Sequence, residues 1–362
     1  MTYIGLMSGT SMDAVDVAVV DVADTVTLKY YFEHPIPHDL RQYVRRIHGD
    51  SCLSDVAEID NKLGNLFADA VNQVIDSNEI NREQISAIGS HGQTVFHKPD
   101  ENKNSIQLGD PNVICAKTGI KTVADFRRMD MAFGGQGAPL APAFHQFQFQ
   151  DKKINRAILN IGGIANISLL PKAIDASVIG FDIGPGNCLL DDWNQKHNQT
   201  FMDKDSEWAA QGQVIPELLT LLFADPYFLL PYPKSTGRDY FNLNWLSDKL
   251  KDFRDIKHED VQATLLELTT HSIANCIKQY FSECEELLIC GGGANNPAIT
   301  SRLAELLSSI SVDTTSKAGI EPDAVEAVTF AWLAYCRVNN ISLKLESITG
   351  SEKEVLLGGI YN

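Results

Sequence analysis

Three short loops combine glycines with polar residues, and each directly follows a run of apolar residues typical of a buried strand. They lie at residues 7–11, at Gly162-Gly163 and at Gly291-Gly292-Gly293. Glycine lets backbone N–H groups approach a phosphate without a Cβ in the way, and Ser and Thr hydroxyls add donors. One such loop is usually only a turn, but three of them after three strands predict a site for the phosphates of a nucleotide.

The loops do not match the two commonest nucleotide-binding patterns. No Gly-Lys-Ser or Gly-Lys-Thr triplet follows a glycine at P-loop spacing, and the absence of G-x-G-x-x-G disfavours a dinucleotide fold. The arrangement resembles the actin, hexokinase and heat-shock ATPase superfamily. In that superfamily two hairpins clasp the phosphates, and a third glycine loop lies against the adenosine.

Asp182 follows the apolar run 178–181 and precedes Gly184-Pro185-Gly186. Phosphoryl transfer needs a base or a water-positioning group near the γ-phosphate, and a carboxylate held beside a glycine loop suits that role. An aspartate that caps its own turn is the alternative. The neighbouring glycine loops favour the catalytic interpretation.

Polar residues that suit a small substrate follow two further predicted strands. His91 and Gln93 come after the run 85–89, and His97 lies six residues beyond His91. No third ligand has matching spacing, so substrate hydrogen bonding is favoured over a metal site. Arg127 and Arg128 suit a two-pronged bond to a carboxylate. Surface ion pairs with the neighbouring acidic residues, Asp125 and Asp130, remain an equal alternative.

Two other segments have no role that their own residues establish. Glu326 lies on a predicted helix, where a charged residue is usually a solvated one. The basic polar stretch 234–238 is within reach of a ligand only if its loop folds towards one, and such stretches are usually just loops.

The elements around these residues repeat one pattern twice. Residues 3–33 and 156–181 each predict a strand, a glycine turn and two further strands. Helical periodicity recurs at 55–77, 260–280 and 323–336. The glycine- and proline-rich stretch 133–140 predicts a domain crossing. We therefore expect an N-terminal lobe at 1–133, completed by 338–362, and a C-terminal lobe at 134–337.

Charge and cysteine content limit the class of protein. The 362 residues carry a formal net charge of −17, which disfavours nucleic acid and anionic membrane surfaces as partners. The seven cysteines form no C-x-x-C pair, as expected of reduced thiols in a cytoplasmic protein. Neither a secretory signal nor an apolar run long enough to span a bilayer is expected.

Taken together, the motifs resemble the anhydro-N-acetylmuramic acid kinase family over the whole length of the chain. The segments that carry the resemblance are residues 5–13, 90–94, 124–128, 134–139, 160–166, 182–187, 234–238 and 291–296. The resemblance implies an α/β protein with a two-lobed actin-like ATPase (ribonuclease H-like) fold. In that fold, duplicated mixed β-sheets are flanked by helices, and ATP lies in the cleft.

The resemblance also implies a reaction. Family members open 1,6-anhydro-N-acetylmuramic acid with water and phosphorylate O6 with ATP, giving N-acetylmuramic acid 6-phosphate and ADP in cell-wall recycling. Asp182 would deprotonate the water that attacks the anomeric carbon. Magnesium is expected with ATP, held mainly by phosphates and waters, and a homodimer is a family expectation. The residues implied to face the sugar are His91, Gln93, Arg127, Arg128 and Glu326.

The glycine loops and the resemblance together predict the ATP-binding residues. They are Gly9, Thr10, Ser11, Met12, Asp13, Ala14, Val15, Asp16, Gly162, Gly163, Asn166, Gly184, Gly186, Asn187, Gly291, Gly292, Gly293 and Asn296. Family members have glycine where this chain has Ala14, and a methyl group there tightens the turn without abolishing binding. Two alternatives stay open: another small-sugar or carboxylate kinase of the same fold, and a non-catalytic ATP-binding protein such as a filament former or a sugar sensor.

Overall fold

Two mixed β-sheets with the same strand order organise the chain. The computed structural model describes residues 1–9, 12–47, 51–99, 101–173, 175–253 and 255–362. The chain divides into unit 1, which comprises Met1–Gln148 and Ala324–Asn362, and unit 2, which comprises Phe149–Asp323. Each unit contains one of these two sheets.

The strands and helices alternate along the chain. The strands are β1 (Thr2–Met7), β2 (Ala14–Val22), β3 (Val26–Pro35), β4 (Ile85–Ser90), β5 (Gln93–Lys98), β6 (Asn104–Leu108), β7 (Thr122–Ala124), β8 (Arg156–Ile161), β9 (Ile164–Leu170), β10 (Ile179–Pro185), β11 (Glu286–Cys290), β12 (Ser311–Thr314) and β13 (Gly359–Tyr361). The α-helices are α1 (His38–Arg45), α2 (Leu53–Ser77), α3 (Pro111–Thr118), α4 (Arg128–Ala132), α5 (Ala141–Phe149), α6 (Cys188–Asn198), α7 (Pro216–Phe223), α8 (Leu243–Lys249), α9 (His258–Tyr280), α10 (Pro297–Leu306), α11 (Val325–Val338) and α12 (Glu346–Thr349).

The sheet of unit 1 has the order β13-β7-β4-β1-β2-β3. β1, β2 and β3 are antiparallel neighbours, whereas β4 pairs in parallel with β1, and β7 pairs in parallel with β4. Val15, Val17 and Val19 alternate along β2 and are buried in one core with Phe67 of α2. This two-residue period buries one face of the strand and leaves Asp16 on the other.

The sheet of unit 2 repeats that plan in the order β10-β9-β8-β11-β12. β8, β9 and β10 are antiparallel neighbours, β11 pairs in parallel with β8, and β12 pairs in parallel with β11. Strand for strand, this is the order of β1, β2, β3, β4 and β7. The prediction of an α/β fold with duplicated mixed sheets flanked by helices is therefore confirmed.

The backbone of helix α11 packs directly against the backbone of the sheet of unit 1. A Cβ added to Gly5 in β1 would lie 1.8 Å from the carbonyl oxygen of Ala327 and 2.8 Å from the backbone nitrogen of Ala331. Only glycine permits so close an approach. For this reason the segment from Ala324 onwards belongs to unit 1, whereas the sequence placed residues up to 337 in the C-terminal lobe.

The glycine- and proline-rich stretch 133–140 also lies within unit 1, so the units change at 148/149 and not at 133/134. Buried Asp130 holds it there: its carboxylate accepts bonds from the N–H of Gly137 and the hydroxyl of Thr349, both at 2.7 Å. The N–H of Gln136 donates to the carbonyl of Thr349 at 2.9 Å. Contacts more than 200 residues apart thus fix a stretch whose composition alone indicated a joint.

Smaller differences concern single elements. Val355 and Leu343 form an isolated bridge, and β13 closes the chain. The β5–β6 hairpin begins within the polar segment 90–94. Within the residues that the structure describes, no helix is both long enough and apolar enough to span a membrane.

Candidate active site

Asp182 is held in place by a segment about fifty residues further along the chain. It lies on β10 and is half-buried, and its Oδ2 accepts a hydrogen bond from the backbone N–H of Thr236 at 3.0 Å. Its own N–H donates to the carbonyl of Lys234 at 3.1 Å, and its carbonyl accepts from the hydroxyl of Tyr227 at 2.8 Å. Both the backbone and the carboxylate of Asp182 are therefore fixed.

A β-bulge lies at the same point of β10. Asp182 is opposite Asn166 of β9, and the register then shifts so that Gly184 is opposite Ala165. Bulges re-aim side chains at strand ends. The side-chain oxygen of Asn166 is buried and has no hydrogen-bond partner among the described residues. A buried polar atom without a partner is costly, so the Asn166 amide is a group that a bound ligand or water would satisfy.

The Gly162-Gly163 turn between β8 and β9 is bonded to the start of α6. The carbonyl of Gly163 accepts from the N–H groups of Gly186 and Cys188, and the carbonyl of Gly162 accepts from that of Asn187, at 2.9 to 3.0 Å. A Cβ on Gly186 would lie 2.5 Å from the carbonyl oxygen of Gly162. The turn and the helix start therefore form one rigid piece that follows Asp182.

The third glycine loop packs on the end of β8. A Cβ on Gly291 would lie 2.2 Å from the side-chain oxygen of Asn160, and one on Gly293 would lie 2.3 Å from Ile161. A Cβ on Gly292 would meet nothing within 4 Å. Gly291 and Gly293 are thus closely packed against β8, whereas the backbone of Gly292 between them is open. A phosphate or a sugar could approach such an open backbone position.

Two residues of unit 2 that were predicted to bind ATP have side chains that already form hydrogen bonds within the protein. The side-chain oxygen of Asn296 caps α10 by accepting from the N–H groups of Ala298 and Ile299 at 3.1 and 3.4 Å, and its amide bonds to the hydroxyl of Ser206. Asn187 precedes α6, and its side chain donates to the carbonyl of Ile161 at 3.4 Å. Asn296 in particular is recognisable as a helix cap because Pro297 follows it.

The predicted phosphate loop of unit 1 is described at Gly9 and from Met12 onwards, while Thr10 and Ser11 lie outside the described residues. Met12 has a φ of +55°, and its N–H donates to the carbonyl of Gly9 at 3.1 Å. A Cβ on Gly9 would meet nothing within 4 Å. As in the third loop, an open glycine leaves the backbone accessible.

Side chains beyond this loop have partners of their own. Asp13 pairs with Arg41 of α1, and Asp16 accepts from the hydroxyl of Tyr31 at 2.7 Å. Val15 is 0 % exposed, so its side chain cannot contact a ligand. Ala14 begins β2 opposite Pro35. A ligand contact in this segment would therefore be made mainly by the backbone.

His91 and Arg127 are in direct contact in unit 1. The Nε and Nη2 groups of Arg127 donate to Nε2 of His91 at 3.2 and 2.8 Å, and its Nη1 donates to the carbonyl of Gly137 at 2.7 Å. A guanidinium only donates, so Nε2 is unprotonated and the hydrogen of the neutral imidazole lies on Nδ1. Burial, followed by the charge of Arg127, holds the pKa of His91 well below its usual value.

The Nδ1–H of His91 is a buried donor that has no partner among the described residues. The side chain is only 5 % exposed, and its ring lies 4.6 Å from that of Phe330. Glu326 lies one turn before Phe330 on the same face of α11 and is half-buried. The backbone of Gly92 raises the pKa of the ring slightly against burial and the charge of Arg127 but forms no hydrogen bond with Nδ1, so this N–H can donate to a bound acceptor.

Gln93 links β5 to the predicted phosphate loop of unit 1. Its side-chain oxygen accepts from the hydroxyl of Ser8, the residue before Gly9, at 2.7 Å, and its amide donates to the carbonyl of Thr94 at 3.3 Å. Ser8 and Gln93 are both buried. The role of Ser8 was not predicted, because a serine before a glycine gives no sign of its distant partner.

Arg128 forms an ion pair with a neighbouring acidic residue, which was one of the two alternatives for it. Its Nε and Nη2 groups contact the two carboxylate oxygens of Asp125 at 2.7 and 2.6 Å, and this pairing raises the pKa of Arg128. His97 faces the hydroxyl of Ser105 at 3.0 Å. In the described part of the chain, no group of three His, Cys, Asp or Glu side chains is placed to hold a metal ion.

Comparisons with known proteins agree over the full length. The family model described as anhydro-N-acetylmuramic acid kinase matches residues 1–362. A curated anhydro-N-acetylmuramic acid kinase of Pasteurella multocida is 48% identical over 367 residues, covering 100% of this chain and 97% of that protein. Another, of Haemophilus influenzae, is 46% identical over 373 residues, covering 99% of this chain and 97% of that protein.

Among solved structures, an activator of 2-hydroxyisocaproyl-CoA dehydratase from Clostridium difficile, with bound ADPNP, aligns with a TM-score of 0.46. It is 13% identical and covers 94% of this chain and 96% of that chain. The strand order of the two sheets and the family match over residues 1–362 assign the fold.

Proposed function

The chain belongs to the anhydro-N-acetylmuramic acid kinase family, and from this premise we propose that it opens 1,6-anhydro-N-acetylmuramic acid with water and phosphorylates O6. ATP supplies the phosphoryl group, and the products are N-acetylmuramic acid 6-phosphate and ADP. The reaction would serve cell-wall recycling in the cytoplasm, carried out by a homodimer. The observation that carries the proposal is Asp182, a carboxylate fixed at a strand end beside a glycine turn.

In this proposal Asp182 is the general base. Its carboxylate takes a proton from the water that attacks the anomeric carbon, while the bond from that carbon to O6 breaks and leaves O6 to accept the γ-phosphoryl group. A base must be held within hydrogen-bond reach of the proton that it removes. The bond from the Thr236 N–H to Oδ2 would orient the carboxylate for this proton transfer.

ATP fits the glycine loops that the structure describes. Gly9 and Gly292 present open backbone, and Gly186 and Gly291 allow contacts that a Cβ would block. Magnesium would be held chiefly by phosphate oxygens and water, and when bound it would neutralise charge that develops on the transferred group. Of the predicted ligands, Val15 and Asn296 would act only through their backbone.

The sugar would be bound by His91 and Arg127, with Gln93 and Glu326 beside them. The Nδ1–H of His91 would donate to a sugar oxygen, which satisfies the buried donor. Arg127 would approach the lactyl carboxylate from its place between His91 and Gly137. Arg128 would contribute only by exchanging Asp125 for the substrate carboxylate.

The proposal is tested by one coupled assay in oxygen-labelled water, with the phosphorylated sugar weighed by mass spectrometry. We expect ADP release that depends on the anhydro sugar and one label at the anomeric hydroxyl. A panel with glucose and acetate tests the substrate. Equal turnover of those compounds without turnover of the anhydro sugar would overturn the proposed substrate, and an unlabelled anomeric oxygen would overturn the hydrolytic step.

A further inference from the structure

Tyr227 and Lys234 form a small network behind Asp182 that the proposed reaction does not use. The hydroxyl of Tyr227 donates to the backbone carbonyl of Asp182 at 2.8 Å. The ammonium group of Lys234 donates to the carbonyl of Tyr227 at 3.2 Å and lies 4.5 Å from the centre of its ring. The carbonyl of Lys234 in turn accepts from the N–H of Asp182 at 3.1 Å. Each of the three residues thus contacts the other two.

Tyr227 is itself rigidly supported. It is 5 % exposed and lies in the helical turn Pro226–Leu229, which Asp225 caps by accepting from the Tyr227 N–H at 3.1 Å. The carboxylate of Asp225 also accepts from the hydroxyl of Tyr240 and the indole N–H of Trp245, at 2.7 and 2.8 Å. Tyr227 is therefore a rigid support for the Asp182 carbonyl.

The titratable groups around the network act on Lys234 and Tyr227 in opposite directions. Burial holds the pKa of Lys234 below its usual value, and Cys276 on α9 and Asp182 offset part of that lowering. Burial, then Asp182, Cys276 and Tyr240, raises the pKa of Tyr227, so Tyr227 keeps its proton and stays a donor. The electrostatic attraction between Lys234 and Asp182 is mutual, so a charged Lys234 also favours the ionised Asp182 carboxylate.

We propose that Tyr227 and Lys234 are positioning residues for Asp182: the Tyr227 hydroxyl fixes the strand end, and the Lys234 ammonium supplies the positive charge that favours the ionised carboxylate. This inference rests on the proposed role of Asp182 as a base. A base must be unprotonated to act, and an opposite charge nearby stabilises that state. The arrangement explains why a lysine is half-buried against an aromatic ring at this point of unit 2.

The test is the pH profile of kcat/KM between about pH 4 and 8, which reports the base in the free enzyme. Lys234→Gln removes the charge but can still donate to the Tyr227 carbonyl, and Lys234→Arg keeps the charge. We expect the acid limb of Lys234→Gln to move up by about one pH unit, as loss of a neighbouring opposite charge requires. The limb of Lys234→Arg should stay in place. Lys234→Met serves as a second neutral variant.

Tyr227→Phe tests the other half of the network. Loss of the hydroxyl frees the Asp182 carbonyl, so we expect kcat to fall about tenfold or more, with the KM for ATP and the acid limb unchanged. Lys196→Met is the matched control, because Lys196 also lies over an aromatic ring of unit 2, that of Trp193, at 5.2 Å. It should leave kcat and the acid limb as in the wild type.

The outcomes separate this inference from the proposed function. If the neutral Lys234 variants lose activity equally at every pH, Lys234 is only a structural anchor and its charge role is wrong. If Tyr227→Phe keeps the kcat of the wild type, Tyr227 does not position Asp182. If Asp182→Asn keeps near-normal turnover, the base is not Asp182 and the proposed function fails first. Carboxyl-carbon NMR of labelled aspartate, with Asp182 assigned from Asp182→Asn, gives the same pKa comparison without turnover.

Discussion

The two sheets share one strand order, yet a row of paired residues near the glycine loop carries different groups in each. In unit 1 the row across β1, β2 and β3 is Met7, Asp16 and Glu33, and in unit 2 the row across β8, β9 and β10 is Asn160, Asn166 and Asp182. The single hydroxyl hydrogen of Tyr31 is shared between the carboxylates of Asp16 and Glu33, whose oxygens lie 2.7 and 3.0 Å from the Tyr31 oxygen.

In the second row Asp182 lies opposite Asn166, whose buried side-chain oxygen has no hydrogen-bond partner in the part of the chain that the structure describes. The bond that Asp182 accepts from Thr236 comes from a backbone N–H. The glycine loops differ too. Side chains, Ser8 and Gln93, hold the loop of unit 1, whereas backbone bonds to α6 hold the turn of unit 2. The two sheets therefore share a topology but differ in the groups that fix their rows and loops.

The largest expected effect comes from removing the carboxylate of Asp182 and comparing it with the loss of a carboxylate in unit 1. Asp182→Asn should lower kcat by about 10²–10⁴, because a lost general base is worth that much in rate, and should leave the binding of ATP intact. Glu33→Gln, which removes a carboxylate from the row of unit 1, should turn over like the wild type. Steady-state kinetics and nucleotide titration calorimetry measure both. Equal losses in the two variants would mean that the rows do not differ in function.

The sequence predicts only part of this contrast, because it indicates local patterns but not the partner of each side chain. The glycine spacing and the repeated strand pattern indicated both hairpins and singled out Asp182, since those signals are local. The partner of a side chain is not local. Arg128 pairs with Asp125 although a substrate carboxylate was an equal alternative, and Thr349 reaches Asp130 across 219 residues of sequence.

Two further residues show the same limit. Tyr227 lies in the stretch 203–236, where short helical turns replace any sustained period, so nothing in the pattern indicated its bond to Asp182. Asn296 follows three glycines and was grouped with them, but the proline after it makes it the cap of α10. Residue types predict which groups are able to do chemistry, and packing decides which of them are already engaged.

A second prediction concerns the backbone-fixed turn of unit 2. Gly186→Ala places a Cβ 2.5 Å from the carbonyl oxygen of Gly162, and the backbone shift should lower the free energy of unfolding by about 1–3 kcal/mol. Gly292→Ala is the matched control, because its Cβ meets nothing within 4 Å. It should leave stability unchanged while raising the KM for ATP. Denaturant unfolding measures the first quantity, and two variants of equal stability would contradict the turn's rigidity.

The third prediction tests the side-chain-fixed loop of unit 1. Ser8→Ala removes the donor to the buried oxygen of Gln93, and an unsatisfied buried acceptor costs about 1–2 kcal/mol. Ser247→Ala is the control, since that exposed hydroxyl bonds only to the carbonyl of Leu243 in its own helix. Thermal and denaturant unfolding should show a loss for the first variant alone. Indistinguishable curves would mean that the Ser8 bond does not fix the loop.

The smallest expected effect concerns the phenol that ties the carboxylates of unit 1. Tyr31→Phe removes one donor that two carboxylates share at a half-exposed site, so it should lower the free energy of unfolding by about 0.5–1 kcal/mol at neutral pH. Burial, followed by Asp16 and Glu33, raises the pKa of Tyr31 above its usual value near 10. The raised value favours the protonated phenol in the folded state. The stabilisation is therefore fully present below about pH 10 and declines as the pH rises beyond it.

The difference in stability between the wild type and Tyr31→Phe should accordingly be constant from about pH 7 to 9 and shrink above pH 10. Urea unfolding of both proteins across this range measures it, and subtracting the two curves removes every group that titrates equally in both. A difference that grows above pH 10 would mean that the folded state favours the phenolate. In that case the Tyr31 hydroxyl would not donate to the Asp16 and Glu33 carboxylates. The difference described between these carboxylates and Asp182 would then not hold.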